Sequence, residues 1–455
     1  MEGNVKKKEY YETIKVVAIP VILQNLLTSS LGAIDLFMVT RLGDASVAGI
    51  GFSNRLFLIL ISVINGIASG GAIFAAQYHG QKNNLMIQKV MKLCAIVSIG
   101  ISLIFVVAST IFSKNIIGLY SDDQVATMQG ATYVRVVCWA YLCTALISVL
   151  SSILRSIKSA KVPLYASITA VLTNTLLNFL FVYGIISRHT ERVEWIAAAT
   201  VISKLIELMI LVVYIFSDGS ILRCNYFGLD VDLSIMVKIL KKVGPLILNT
   251  FLWSLGQTFY TGVMGKVGTE SVAAYNVAQT IESLAFTIFS GLACAGNVLV
   301  GHLIGNDEKD EAYDVSGKLI VVCIAGGILI GGIMIVIAPI VFGMYKHLKP
   351  DTRVMAINIV RIMGLLFWIK VTNMFIIQGV LRAGGDVVYT LIQSMVAMWC
   401  IGVPFTLIVA NVFHVGIYIV LICTFAEEVV KLIASYIRYR KKKWIVNVTK
   451  NESWE

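Results

Sequence analysis

Asp35 stands inside an apolar run, and an ionised side chain at membrane depth costs from about 2.5 kcal/mol upward, so it needs a partner or a task. Counted from Ile14 at about 1.5 Å per residue, it sits in the outer part of its span, below an Arg41-Leu42-Gly43-Asp44 loop. Asn174 and Asn178, at i and i+4, share one face of another span, near its middle and a turn above. Tyr133 and Thr200 lie near the outer ends of two further spans. One carboxylate with amide and hydroxyl oxygens at similar depth could hold a proton on Asp35, or a hard monovalent cation at Asp35, Asn174 and Asn178. Oxygen ligands replace the hydration shell, and one negative charge offsets the cation. Taken singly, each has a plainer reading: Asp35 reaching headgroups, the Asn pair bonding between helices, Tyr133 in an aromatic belt.

The elements that must position these residues are membrane helices. The chain has 455 residues, is 58% hydrophobic and only 14% charged, with a mean hydropathy of +0.83; an ordinary soluble domain is about 45–50% apolar and about 25% charged. Apolar stretches run at 14–39, 47–76, 90–112, 128–153, 163–186, 194–216, 240–264, 271–301, 317–343, 355–380, 388–411 and 414–436, which predicts twelve spans. Unbroken runs exclude a β-barrel, and no polar stretch is long enough for a soluble enzyme domain. Lys82, Lys89, Lys92, Arg155, Lys158, Lys161, Arg223, Lys238, Lys241, Lys242 and the tail from Arg438 to Lys443 collect on one side. The net charge of +11 is therefore a topology signal that puts both termini in the cytoplasm, and it does not indicate a nucleic-acid partner. Lys6, Lys7 and Lys8 precede a run without a small-residue cleavage site, which reads as a retained first span. The eight cysteines form no CxxC pair and read as small buried hydrophobes.

The chain repeats itself. A gapless shift of 225 places Pro20 on Pro245, Gly43 on Gly268, Ser46-Val47-Ala48 on Ser271-Val272-Ala273, Gly66 on Gly291, Gly71 on Gly296 and Gly80 on Gly305. A second echo sets Leu154-Arg155-Ser156 against Leu381-Arg382-Ala383. About six spans separate the copies, so the halves share orientation, as in transporters that work by alternating access. The expected fold is an all-α membrane protein with twelve transmembrane helices in two pseudo-symmetric six-helix bundles around a central cavity. The expected division is an amino-terminal lobe 1–216, a cytoplasmic linker 217–239, a carboxyl-terminal lobe 240–436 and a basic cytoplasmic tail 437–455. No GxxxxGK[ST] motif and no nucleophile-base arrangement occurs, so neither an ATPase nor another enzyme is expected. Gly326-Gly327 and Gly331-Gly332 read as helix-packing contacts, and Pro20 as a helix bend.

In order and spacing, Asp35-Leu-Phe-Met-Val-Thr-Arg-Leu-Gly43, Ala76-Gln-Tyr-His-Gly80, Leu154-Arg-Ser156, Asn174-Thr-Leu-Leu-Asn178-Phe, Trp253-Ser-Leu-Gly256, Gly265-Lys-Val-Gly268 and Leu381-Arg-Ala-Gly-Gly-Asp386 span the whole chain. Together they resemble the multidrug and toxic compound extrusion (MATE) family. The resemblance implies a monomeric exporter in the cell membrane that moves amphipathic, often cationic organic compounds in exchange for Na⁺ or H⁺, with no other cofactor and with membrane lipid as its surroundings. It also implies that positions such as Asp35, Tyr133, Asn174, Asn178 and Thr200 form an amino-lobe cation site. Several members carry an acid where Asn178 stands, and others carry acids in spans 7 and 10, where this chain has Asn249, Thr250, Gln257 and Lys370.

The second half is thus expected to shape the substrate cavity through Trp253, Gln257, Tyr260, Asn276, Glu282 and Lys370, and the shift sets Tyr260 where Asp35 would fall. Glu282 in span 8 is expected to pair with Lys370, and Lys204 with Glu207 at i,i+3. Glu427 and Glu428, near Lys431, read as a solvated helix end. Two other functions fit parts of the pattern. A flippase would use Arg55, Arg135, Arg361 and Lys370 to meet phosphate, and an assembly subunit would use the duplicated bundle as a scaffold.

Overall fold

In the computed structural model, the described residues are 2–39, 44–118, 123–182, 193–217, 220–223, 233–267, 269–344, 350–412 and 416–449. The Arg41–Gly43 loop, Asp218, Cys224, Asp230, Asp232 and Gly268 lie outside them, as do the side chains of several helical residues, Asp35 among these.

Apolar runs with no internal turn signals form long helices, because in lipid each backbone N–H and C=O must be satisfied within its own segment. The order is α1 Glu2–Val39, α2 Asp44–Gly80, α3 Asn84–Ile111, α4 Ser113–Gly118, α5 Gln124–Val137, α6 Trp139–Ser156, α7 Lys161–Val182 and α8 Val193–Phe216. Then follow α9 Leu233–Val267, α10 Thr269–Gly305, α11 Lys309–Met344 and α12 Pro350–Met374, which runs on into a π-helical segment Phe375–Leu381. The chain continues with α13 Val387–Met395, a second π-helical segment Val396–Gly402, α14 Val403–Val412 and α15 Ile417–Arg440. Setting aside the six-residue α4, and counting α5 with α6, α12 with its π turn, and α13 to α14 as single spans, gives the twelve membrane helices expected. Among the described residues, nine helical stretches are long and apolar enough to cross a membrane. Large apolar side chains on their outer faces, such as Ile104, Val107 and Ile111 on α3 or Leu329, Val336 and Ile340 on α11, are exposed. On a soluble surface such stripes would be costly; against lipid tails they are not.

The chain forms two compact units: Ile19–Ile247, and Met1–Ala18 together with Leu248–Glu455. It passes from one to the other beside Pro20 in α1 and beside Pro245 in α9, where the missing proline N–H removes a helix hydrogen bond.

In the amino-terminal unit α2 packs on α3, α5 and α6, while α7 and α8 pair. In the carboxyl-terminal unit α10 packs on α11, α12 and the first π turn, and α12 packs on α15. The α11–α12 contact depends on glycine. A Cβ on Gly364 would lie 2.7 Å from the Gly331 carbonyl oxygen, and one on Gly327 would lie 2.8 Å from Trp368 Cα, whereas Gly332 faces open space.

The duplication extends to backbone conformation. Left-handed residues terminate helices at Lys82 (φ 58°) and Asp307 (φ 66°), and again at Lys158 (φ 63°) and Gly385 (φ 81°). At all four turns the next amide reaches back to a carbonyl five residues earlier: Asn83 to Tyr78, Glu308 to Leu303, Ser159 to Leu154 and Asp386 to Leu381. This is a Schellman cap, which satisfies carbonyls the helix end would leave open.

Beyond α15 the chain stays on the carboxyl-terminal unit. Trp444 is fully buried, stacks on Tyr439 at 5.9 Å and donates Nε1–H to the Tyr439 carbonyl at 3.2 Å. Val446 N–H reaches the Gly384 carbonyl at 3.0 Å, and Arg438 binds both carboxylate oxygens of Asp386 at 2.6 and 3.1 Å. Those hydrogen bonds raise the Arg438 guanidinium above its ordinary pKa.

Candidate functional site

Three of the residues singled out in the amino-terminal unit meet in a chain of hydrogen bonds. Asn178 Nδ2 donates to Asn174 Oδ1 at 3.0 Å, and Asn174 Nδ2 lies 3.4 Å from Thr200 Oγ1 and 3.5 Å from Ser203 Oγ. Both hydroxyls give their protons to their own helix, Thr200 to the Ile196 carbonyl at 3.1 Å and Ser203 to the Thr200 carbonyl at 2.9 Å. Their lone pairs are therefore turned toward the amides. Asn174 and Asn178 are almost wholly buried at the α7–α8 seam. Tyr133 is buried on α5, which packs on α8. Asp35 belongs to α1, and its side chain is outside the described residues. Ser203 was not anticipated, although its i+3 spacing from Thr200 puts it on the same face.

A second polar chain in this unit was not anticipated as a chain. Arg155 Nη1 donates to Gln24 Oε1 at 3.1 Å, Gln24 Nε2 to Ser167 Oγ at 2.8 Å, and Ser167 Oγ to Glu207 Oε1 at 2.7 Å. Lys204 Nζ closes it on Glu207 Oε2 at 2.8 Å, which is the i,i+3 pair expected from the sequence.

In the carboxyl-terminal unit the expected Glu282–Lys370 pair forms, with Nζ 2.8 Å from Oε1 and Lys370 over the Phe425 ring at 5.5 Å. Trp253 and Asn276 are exposed and Gln257 is half-buried. Tyr260 is buried and donates its hydroxyl to Glu427 Oε2 at 2.6 Å. This overturns the reading of Glu427 and Glu428 as a solvated helix end. Helix α15 continues to Arg440, so Glu427 lies about 15 Å into it at about 1.5 Å per residue. Only 3% of its side chain is exposed, against 12% for Glu428 and 6% for Lys431, which lies 2.9 and 3.4 Å from the two carboxylates.

Of the four basic residues that a flippase would turn to phosphate, Arg55 is exposed on α2 and the other three have partners. Arg135 donates to Ser113 Oγ at 2.8 Å, Arg361 lies 3.3 Å from Asn358 Oδ1, and Lys370 is held by Glu282.

A duplicated, all-helical fold with apolar exteriors and buried polar clusters inside each unit is that of a polytopic membrane transporter. The chain belongs to the MatE family, which matches residues 20–180 and again 245–408. The two matches begin at the two prolines, 225 residues apart (245 less 20). The probable multidrug resistance protein YoeA of Bacillus subtilis is 24% identical over 97% of this chain and 96% of its own length. The probable multidrug resistance protein NorM of Thermotoga maritima is 21% identical over 95% and 92%. Among solved structures, MATE in the bent conformation superposes with a TM-score of 0.87 at 18% identity, covering 95% of this chain and 96% of that one. The Vibrio cholerae MATE transporter VcmN, also in a bent form, gives 0.86 at 16% identity over 96% and 97%. The protein is thus a multi-pass member of a multidrug efflux transporter family.

Proposed function

We propose that this chain exports amphipathic, cationic organic compounds in exchange for inward Na⁺ or H⁺ by alternating access. In this reading it works as a monomer in the plasma membrane, with both termini in the cytoplasm and no cofactor beyond the coupling ion. The observation that carries the reading is the buried Asn178–Asn174–Thr200/Ser203 chain, four polar side chains joined by amide-to-oxygen hydrogen bonds at one helix seam. Asp35 supplies the charge that such a neutral donor set lacks for a monovalent cation, or carries the proton itself. The relatives named for multidrug resistance support the substrate class.

The test is uptake of a fluorescent organic cation into sealed inside-out vesicles under imposed Na⁺ and H⁺ gradients separately. One gradient should drive accumulation by the wild type, and Asp35→Asn should abolish it at matched expression. Asn174→Ala and Asn178→Ala should weaken the ion dependence, and Asn178→Asp should strengthen cation binding by adding a second charge. Wild-type accumulation by a well-expressed Asp35→Asn protein would sink the assignment.

A further inference from the structure

The carboxyl-terminal unit buries a cluster of ionisable side chains that the coupling site proposed above does not use. Glu427 faces Tyr260 from α9 and Lys431 and Glu428 from its own helix. Glu428 faces Lys431, Asn373 and Lys370 of α12, and Lys370 pairs with Glu282 of α10 beside Tyr275. With every group ionised, the carboxylates Glu282, Glu427 and Glu428 outnumber the ammonium groups Lys370 and Lys431, so the cluster carries one uncompensated negative charge. Such a charge in a buried site is relieved by a metal cation or by a proton.

The donors decide between them. Lys431 Nζ and Asn373 Nδ2 have hydrogens but no lone pair to offer, so Glu427 Oε1 and Glu428 Oε2 must remain acceptors. The orientation of Asn373 is fixed because its Nδ2 serves two acceptors, Glu428 Oε2 at 2.8 Å and the Glu428 carbonyl at 2.6 Å. A metal ion at Glu427 Oε1 or Glu428 Oε2 would meet the N–H hydrogens of Lys431 and Asn373 instead of lone pairs. The Tyr260 hydroxyl differs, because it can donate or accept. A proton on Glu427 Oε2 can be donated to Tyr260 Oη with the same two heavy atoms in place.

Two further observations mark the place. Gly402 ends the second π-helical segment, and a Cβ there would collide with Tyr260 Oη and lie 2.8 Å from Glu427 Oε2, so the contact requires a residue without a side chain. Short π segments inside longer helices are frequent at functional sites. Asn373, 2% exposed, also keeps its Oδ1 without a hydrogen-bond partner among the described residues, an open acceptor beside Glu428.

We propose that Glu427 Oε2 is a second proton-carrying site, in the carboxyl-terminal unit, with Tyr260 as its positioning residue. The step is transfer of one H⁺ from hydronium to Oε2: one O–H bond of the hydronium breaks and leaves water, one O–H bond forms on Oε2, and the Tyr260 hydroxyl turns from donor to acceptor. The cluster passes from a charge of −1 to neutral. Its use in export rests on the exporter reading; its titration does not.

The experiment is pH-difference infrared spectroscopy of the purified full-length protein in lipid nanodiscs, with ¹³C-labelled glutamate to separate Glu from Asp bands. Wild type should gain a protonated-carboxyl C=O band on acidification that Glu427→Gln lacks and Asp35→Asn keeps. Identical difference spectra for wild type and Glu427→Gln overturn the proposal. If Glu427→Gln does not fold, Tyr260→Phe retains the carboxylate and its Lys431 partner and should move the midpoint of the band; an unmoved midpoint also overturns it. Failure of the exporter reading would be seen separately, as no gradient-driven uptake by wild-type vesicles whose infrared band is intact.

Discussion

Arg155 and Gln24 are joined by a guanidinium-to-amide hydrogen bond of 3.1 Å, and the same bond recurs in the other repeat, where Arg382 Nη2 donates to Asn249 Oδ1 at 3.0 Å. Gln24 and Asn249 each stand four residues after the proline of their helix. The arginines fall just before the left-handed turns at Lys158 and Gly385. Duplication has therefore kept a polar clamp between the proline-bearing helix and the end of the fourth span of each half, although the amide differs in length.

The clamp should be worth measuring as a coupling. A hydrogen bond to a charged group contributes about 1.5–3 kcal/mol, and groups that bond directly show interaction energies of about 0.5–3 kcal/mol. Arg155→Met and Gln24→Leu should each lower stability in detergent, and the double variant should cost clearly less than their sum. Additive losses would show that the bond carries no energy of its own.

Glu282 and Lys370 should behave as a structural pair. Lys370→Met leaves a carboxylate that is 6% exposed without its cation, and breaking a buried pair costs about 3–5 kcal/mol. Replacing both, as Glu282→Leu with Lys370→Met, should recover most of that loss in thermal unfolding. Glu282→Gln should change stability or substrate range more than ion coupling, and loss of ion dependence in that variant at normal stability would count against this role.

The two left-handed turns predict opposite signs for substitutions at equivalent places. Lys158 occupies a conformation that costs a residue with a Cβ about 1–2 kcal/mol, so Lys158→Gly should stabilise the amino-terminal unit by about 0.5–1 kcal/mol after the entropy cost of glycine. Gly385→Ala should destabilise by at least that strain, because its new Cβ would also strike Val448 Cγ1. Melting temperatures of both variants test this, and a destabilising Lys158→Gly would refute it.

The repeat was legible because glycine and proline positions encode backbone demands directly, and the four Schellman turns are those demands met. The Asn174–Asn178 pair was legible because i,i+4 spacing fixes a shared face, and Glu282–Lys370 because two opposite charges within membrane spans have few other partners. The Gln24–Ser167–Glu207 chain was not, since its members are 143 and 40 residues apart and each alone is an ordinary polar residue in a span. Glu427 was misread because its neighbours Glu428 and Lys431 resemble a wet helix end, whereas the side chain that covers it, Tyr260, is 167 residues away. The π segments have no composition signature at all.

The division of the chain at its two prolines has a consequence for synthesis. Tyr10 and Ile14, made before residues 248–455, pack against the core of the carboxyl-terminal unit, whose buried residues include Trp444 and Val448. The residues before Pro20 must therefore wait, with their intended neighbours still unmade, until those neighbours, as far as Val448, have been synthesised. The amino-terminal unit is under no such delay, because it needs only the chain through Ile247. Membrane insertion should accordingly proceed in two stages, with residues 2–18 exposed to proteases and chaperones in the interval and protected once Val448 has been added.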